Sequence, residues 1–230
     1  MPNWCNNRLV VAGKKKDILS FLHYKDGAEK FIFNNYLPIP QTYDDYDTTN
    51  SMDSREAFNS DEEFNAYREG YENAVKEQKE KYGVVGWYDW RVANYGTKWD
   101  IDGKRIADLE SQLVGVGDEA ETTIETTFDT AWSPCVRFVE NIAPLFPTLQ
   151  FTLTWLETGC YFAGKAVIGI DECGELYSDI EEVEPEIYEI GGETPIDRDD
   201  CRRLEEENGL GEGEGWGELY DLKNPLDLEL

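Results

Sequence analysis

The chain has 230 residues, of which 49 are Asp or Glu and 21 Lys or Arg, a formal net charge of −28 at pH 7. Such a polyanion repels nucleic acid and anionic membrane surfaces and attracts basic proteins, so direct nucleic-acid binding is not expected and a partner protein with a basic surface is. Hydrophobic residues make up 40% and aromatic residues 13%, enough apolar material for a core, which excludes a wholly disordered acidic chain.

The sequence has no apolar run of about 18 residues, and its first residues lack the basic and apolar regions of a signal peptide, so the expectation is a cytoplasmic protein with no membrane span. The five cysteines (Cys5, Cys135, Cys160, Cys173, Cys201) are scattered, odd in number and form no C-x-x-C pair, which predicts reduced thiols. The single histidine, His23, argues against a His-based metal site or catalytic triad. No cofactor or metal is expected.

In chain order, Asn6 to Ala12 reads as a first strand and Lys14 to Tyr24 as a helix, with Ile18, Leu19, Phe21 and Leu22 on its buried side. His23 falls near the end of that helix, where a partly protonated ring suits the dipole. Phe31 to Tyr36 reads as a short strand stopped by Pro38 and Pro40, and residues 41–59 read as a polar loop. Ser60 with Glu63 predicts a capping box. Phe64, Tyr67, Tyr71, Ala74, Gln78 and Tyr82 then recur at helical spacing up to Gly83, a stripe expected to pack on the body.

Trp87 to Trp99 is an aromatic segment without a clear period. Gly103 to Val114 reads as a helix, Thr122 to Ala131 as a half-exposed strand, and Ser133-Pro134 as a hydroxyl cap followed by proline at the first helical position. Leu149 to Leu156 and Tyr161 to Ile170 form a hairpin around Thr158-Gly159. This order predicts an α+β fold, an antiparallel sheet with helices on one face.

Charge divides the chain. Residues 171–230 hold 22 Asp and Glu against 4 Lys and Arg, a net of −18, whereas residues 1–170 carry a net of −10. The expected organisation is a domain over 1–175 with a helical insertion at about 41–83, then an acidic C-terminal extension over 176–230. Within that extension Thr194, Pro195 and Asp197 read as a helix start and Asn208-Gly209 as its end. The alternation of Gly with Glu from Gly209 to Gly217 is expected to be flexible.

Four stretches carry a resemblance. They are Pro2-Asn3-Trp4-Cys5-Asn6-Asn7; Tyr88-Asp89-Trp90 leading to Asn94-Tyr95-Gly96-Thr97-Lys98-Trp99-Asp100; Thr130-Ala131-Trp132-Ser133-Pro134; and Cys160-Tyr161-Phe162-Ala163-Gly164. As a set they resemble the YubB-like (DUF1281) family of phage and plasmid accessory proteins, over roughly residues 1–37 and 84–175. The resemblance implies a ferredoxin-like sandwich and a mobile-element origin, hence the cytoplasm of an infected or plasmid-bearing bacterial host. It implies no iron–sulfur cluster, and the cysteines lack cluster spacing.

Two sets of residues stand out as candidate sites. Asn3, Trp4, Asn6, Trp90, Asn94, Lys98, Trp99, Asp100 and Trp132 fit a polar–aromatic pocket for a small molecule or a nucleotide signal. They equally fit a structural network in which Asn and Asp cap turns and accept from indoles. Glu181, Glu182, Glu184, Glu186, Asp199, Asp200, Glu205, Glu206 and Glu207 fit an acidic partner-binding surface. Spaced carboxylates imitate the phosphate row of DNA, and a solubilising extension is the plainer alternative.

Other motifs lead nowhere catalytic. The acid pairs Asp44-Asp45, Asp100-x-Asp102, Glu181-Glu182 and Asp199-Asp200 are expected on solvated faces, whereas acid–base chemistry requires one desolvated carboxylate. Gly115-Val116-Gly117-Asp118-Glu119-Ala120 imitates a dinucleotide fingerprint, but a helix precedes it and a strand follows, the reverse of the required order. Cys5 and Cys135 lack an activating base and read as small buried hydrophobes. The sequence therefore points to a non-enzymatic phage or mobile-element protein that binds and inhibits a host defence or nucleic-acid-handling protein through its acidic surface. Small-molecule binding is the alternative.

Overall fold

The computed structural model describes residues 3–45, 48–49, 52–160, 162–183, 186–190, 195–211 and 219–223. Its main element is a five-stranded antiparallel sheet built from β1 (Trp4–Lys14), β2 (Glu121–Ala131), β3 (Gln150–Glu157), β4 (Phe162–Ile170) and β5 (Leu176–Val183), in the spatial order β2-β1-β3-β4-β5. β2 and β3 flank β1, each antiparallel to it, so they run parallel to each other and need a crossover. Helix α7 (Val136–Ile142) supplies that crossover, and β3 to β5 then follow as a meander.

Helices fill the span between β1 and β2. They are α1 (Lys15–Leu22), α2 (Phe33–Tyr36), α3 (Thr42–Asp45), α4 (Asp61–Tyr82), α5 (Trp87–Tyr95) and α6 (Ile106–Glu110). One face of the sheet is apolar because alternate residues of each strand point to it. Cys5, Leu9 and Val11 of β1, Ile124 and Phe128 of β2, Phe151, Leu153 and Trp155 of β3, and Ala166 and Ile168 of β4 share one buried cluster with Ile18, Phe21 and Leu22 of α1 and Phe138, Val139 and Ile142 of α7. Rings knit the layer: Phe33 stacks on Phe138 at 4.1 Å between centroids, and Phe21 meets Phe146 edge-on at 5.1 Å. Helix cover stops at β4, and Leu176 and Ile180 of β5 remain exposed on the helix side.

The C-terminal residues form a second, smaller layer. β6 (Glu186–Glu189) pairs with β7 (Pro195–Ile196) and β8 (Tyr220–Lys223). α8 (Arg198–Asn208) carries a full capping box at Asp197 and a left-handed Gly209 at its end. Ile187 and Cys201 are buried among Ile196, Leu204, Leu219 and Leu156 of β3, so this layer rests on the main sheet's other face.

Several elements differ from the sequence expectation, each for a physical reason. Phe31 to Tyr36 is not a strand: Lys30 forms a single bridge with Arg105, and Phe33 to Tyr36 coil into α2 because the Asp100 carboxylate accepts the Phe33 and Asn34 amides at 2.8 and 3.0 Å. Ser133 does not cap α7. Its hydroxyl donates to the Gly96 carbonyl at 2.6 Å, and α7 begins after Cys135 with no side-chain cap. The helix expected from Gly103 begins only at Ile106, because residues 104–106 are taken up pairing with 29–31 (Phe31 N–H to Lys104 C=O and Ile106 N–H to Glu29 C=O, both 2.9 Å).

At α4 the Ser60 hydroxyl accepts the Glu63 amide at 3.1 Å, while the Glu63 carboxylate reaches the amide of Asn59 rather than that of Ser60. Residues 41–59 hold α3 and a 3-10 turn at Arg55–Ala57. The boundary expected near 175 falls in the β4–β5 turn, so residues 176–183 of the acidic region complete the main sheet. Most of the Gly/Glu alternation at 209–217 lies outside the described residues.

Candidate interaction surfaces

The aromatic set gathers where β1 starts and β2 ends. Trp4 pairs in register with Ala131, and the next residue, Trp132, has φ +73°, a left-handed value that no other non-glycine among the described residues adopts. Its amide donates to the Asn3 carbonyl at 2.9 Å, which fixes the turn. Both indoles are half in solvent, Trp4 at 51% and Trp132 at 50% exposure. Trp4 lies 6.0 Å from Trp99, and the Lys98 ammonium sits 5.0 Å from the Trp99 ring and 5.7 Å from the Tyr88 ring. Tyr88, Lys98, Trp99 and Trp4 thus form one ledge, with Trp132 beside it across the β1–β2 pair.

The rest of that set does structural work elsewhere. Trp90 is buried, edge-on to Tyr95 at 5.4 Å. The Asn94 side chain donates to the Trp90 carbonyl, and its own carbonyl accepts from Asn141. Asn6 donates to Asp129 at 3.1 Å on the outer face, and Asn3 donates to the Cys160 sulfur at 3.6 Å. Asp100 is fully engaged by the amides of Phe33, Asn34 and Ile101. The expected pocket therefore divides into an exposed ledge and a set of turn-fixing contacts. Tyr88, quoted in the resembling stretch but outside the expected pocket, joins the ledge because it meets Lys98 where Gly96, at φ +80°, turns the chain back after α5.

Below the ledge lies a buried polar network. Asn7 donates to the Cys5 carbonyl and to the Thr130 hydroxyl, both at 2.8 Å, and Thr130 donates to the Ser133 carbonyl at 2.6 Å. Glu157, also buried, accepts the Gly159 and Cys160 amides of the β3–β4 turn. Burial, with Glu157 nearby, pushes the Cys5 thiol up to about 12, and burial pushes Cys135 up as well. Both sulfurs are thus protonated hydrophobes rather than nucleophiles. Among the described residues, no group of three or more His, Cys, Asp or Glu side chains is placed to hold a metal ion.

The acidic set also divides. Glu181 and Glu182 stand exposed on β5, Glu186 on β6, and Glu206 and Glu207 on α8. Asp199 and Asp200 lie in the first turn of α8, where their charge suits the dipole, and they pair with Arg202 at 3.2 Å and Arg203 at 2.7 Å. Glu205 is 3% exposed and belongs to the interior of the small layer. Glu184 lies outside the described residues. Among the described residues, no helix is long and apolar enough to cross a membrane.

The sheet with helices on one face defines a ferredoxin-like α+β domain. Residues 98–197 match the family model of the ferredoxin-like domain in Api92-like protein. The match takes in β2 to β5 and α7 and runs on through β6 and β7. The crystal structure of protein Api92 from Yersinia pseudotuberculosis is similar over 80% of this chain and 100% of that chain, at 11% identity and a TM-score of 0.37. No curated protein matches the chain.

Proposed function

We propose that the protein is a non-enzymatic accessory factor of phage or mobile-element origin that binds a basic surface on a host protein and blocks it. The observation that carries this reading is the charge: −28 over the chain, with Asp179, Glu181, Glu182, Glu206 and Glu207 exposed on β5 and α8. A basic groove that holds DNA or RNA presents the complementary field, and release of its counterions drives association. The host protein is therefore of the defence or nucleic-acid-handling class, met in the cytoplasm, and the acidic face acts as a DNA mimic. The exposed rings of Trp4, Trp132 and Tyr88, with the half-buried Trp99 beside Trp4, add the large, stiff contact area on which protein interfaces concentrate their energy. The small-molecule reading is weaker, because Trp90 is in the core and Asp100 caps α2. Affinity capture from host lysate tests the proposal. Basic proteins retained at low salt and released at high salt support it, whereas salt-indifferent retention or an empty eluate contradicts it.

A further inference from the structure

Strand β5 is the end of the main sheet, and among the described residues no strand pairs with its outer edge. β4 occupies one side of it over the whole length from Ala163↔Val183 to Ile170↔Leu176. No hydrogen bond among the described residues reaches the other side. The opposite edge of the sheet is treated differently. On β2 the Gln112 side chain accepts the Glu125 amide at 2.8 Å and donates to the Glu125 carbonyl at 2.9 Å, which imitates a strand and closes the ladder there. Among the described residues β5 has no such plug, and its outward N–H and C=O groups, on alternate residues of its eight, meet no partner there.

The side chains of β5 sort by face. Leu176 and Ile180, 45% and 51% exposed, point to the helix side beyond the last helix. Asp179 and Glu181 point to the other face, in register with Val167 and Lys165 of β4, and a groove of about 290 Å³ lies among Lys165, Val167, Asp179, Ile180 and Glu181. Glu182, in register with Gly164, lies on the helix side with Leu176 and Ile180. A second copy is a poor occupant, because antiparallel pairing of two β5 strands with Ile180 opposite Ile180 would set Asp179 of each against Glu181 of the other, and like charges across a ladder destabilise it.

We infer that β5 is a docking edge for an extended basic segment of the partner protein, which adds a sixth strand to the sheet. Its apolar side chains cover Leu176 and Ile180, and its Lys or Arg side chains, on alternate positions, meet Asp179 and Glu181. Backbone hydrogen bonds supply affinity and the two faces supply selectivity. The inference rests on the basic-partner reading and adds a place and a geometry to it.

The test uses the full chain and two labelled nonapeptides of alternating lysine and valine at low salt. One has an ordinary backbone, and its twin is methylated at every backbone amide, so that charge is equal and strand pairing is blocked. The expected result is that the ordinary peptide binds at least about tenfold more tightly than the twin and slows amide hydrogen exchange in β5. Equal affinity of the two overturns the docking edge and leaves the basic-partner reading standing. Failure of both to bind overturns the two together. A dimer seen by sedimentation at high salt and abolished by Ile180→Lys would give the edge to a second copy and also overturn the inference. Because the decisive change is made in the peptide, no variant of the protein has to fold for the first comparison.

Discussion

The carboxylate of Asp100 holds the amide of Phe33 at 2.8 Å across 67 residues of sequence, and α2 exists because of it. Phe33 is wholly buried and stacks on Phe138 of α7, so this one acceptor orients a ring at the centre of the core. Replacing Asp100 with Ala leaves the Phe33, Asn34 and Ile101 amides without that acceptor. The expected loss is about 1–2 kcal/mol of stability. Urea unfolding measures it, and an unchanged midpoint would show that Asp100 does not anchor α2.

Gly103 is a sharper structural test. A β-carbon there would collide with the Phe31 carbonyl oxygen, inside the short pairing of 29–31 with 104–106. No side-chain rotation relieves a clash with backbone, so Gly103→Ala must part the two segments and disturb Phe31 in the core. The expected destabilisation is on the order of 3 kcal/mol, at the upper end for overpacking. A thermal midpoint equal to that of the unchanged protein would contradict the pairing.

The thiols divide by environment. Cys160 and Cys173 are exposed, whereas Cys5, Cys135 and Cys201 are buried and their thiols are pushed up chiefly by that burial. A disulfide reagent at neutral pH is expected to modify Cys160 and Cys173 quickly in the native protein and the other three only on unfolding. Rapid native labelling of Cys5 or Cys135, read by mass spectrometry, would reopen a nucleophilic role.

One charge pair on the outer face of the sheet gives a pH dependence. Arg8 lies 2.6 Å from Glu125 and holds its carboxyl below the ordinary 4.5. A depressed carboxylate stabilises the native state at pH values above the ordinary one, and that contribution is lost as pH falls through the depressed value. In Arg8→Met the acid unfolding limb below pH 4.5 should be shallower than in the unchanged protein, compared at one ionic strength. Identical limbs would mean that the pair is too well solvated to matter.

What was legible in the sequence followed local pattern. The alternation at Ile124 and Phe128 marks β2, and Ser60 and Gly83 mark the ends of α4, because period and caps are written within a few residues. What was not legible depends on distant partners. Phe31 to Tyr36 looks like a strand until Asp100 supplies a helix cap, and Ser133-Pro134 looks like a helix start until Gly96 takes the hydroxyl. The same holds at the candidate sites. Composition shows how acidic the C-terminal region is, but only the fold reveals that Glu205 faces inward, that Asp199 and Asp200 face arginines, and that residues 176–183 form a sheet edge. Trp90 and Trp132 look alike in sequence, and only packing separates a core ring from an exposed one.

The measurement that bears most directly on the account is the salt dependence of affinity for the captured host protein, compared between the unchanged chain and the variant Glu181→Lys, Glu182→Lys, Glu206→Lys, Glu207→Lys. All four side chains are exposed, so the variant should fold normally. The account predicts that the unchanged chain loses affinity steeply as salt rises, and that the variant binds at least about tenfold more weakly at low salt with a flatter slope. Equal affinity and equal slope in the two proteins would contradict recognition through these carboxylates.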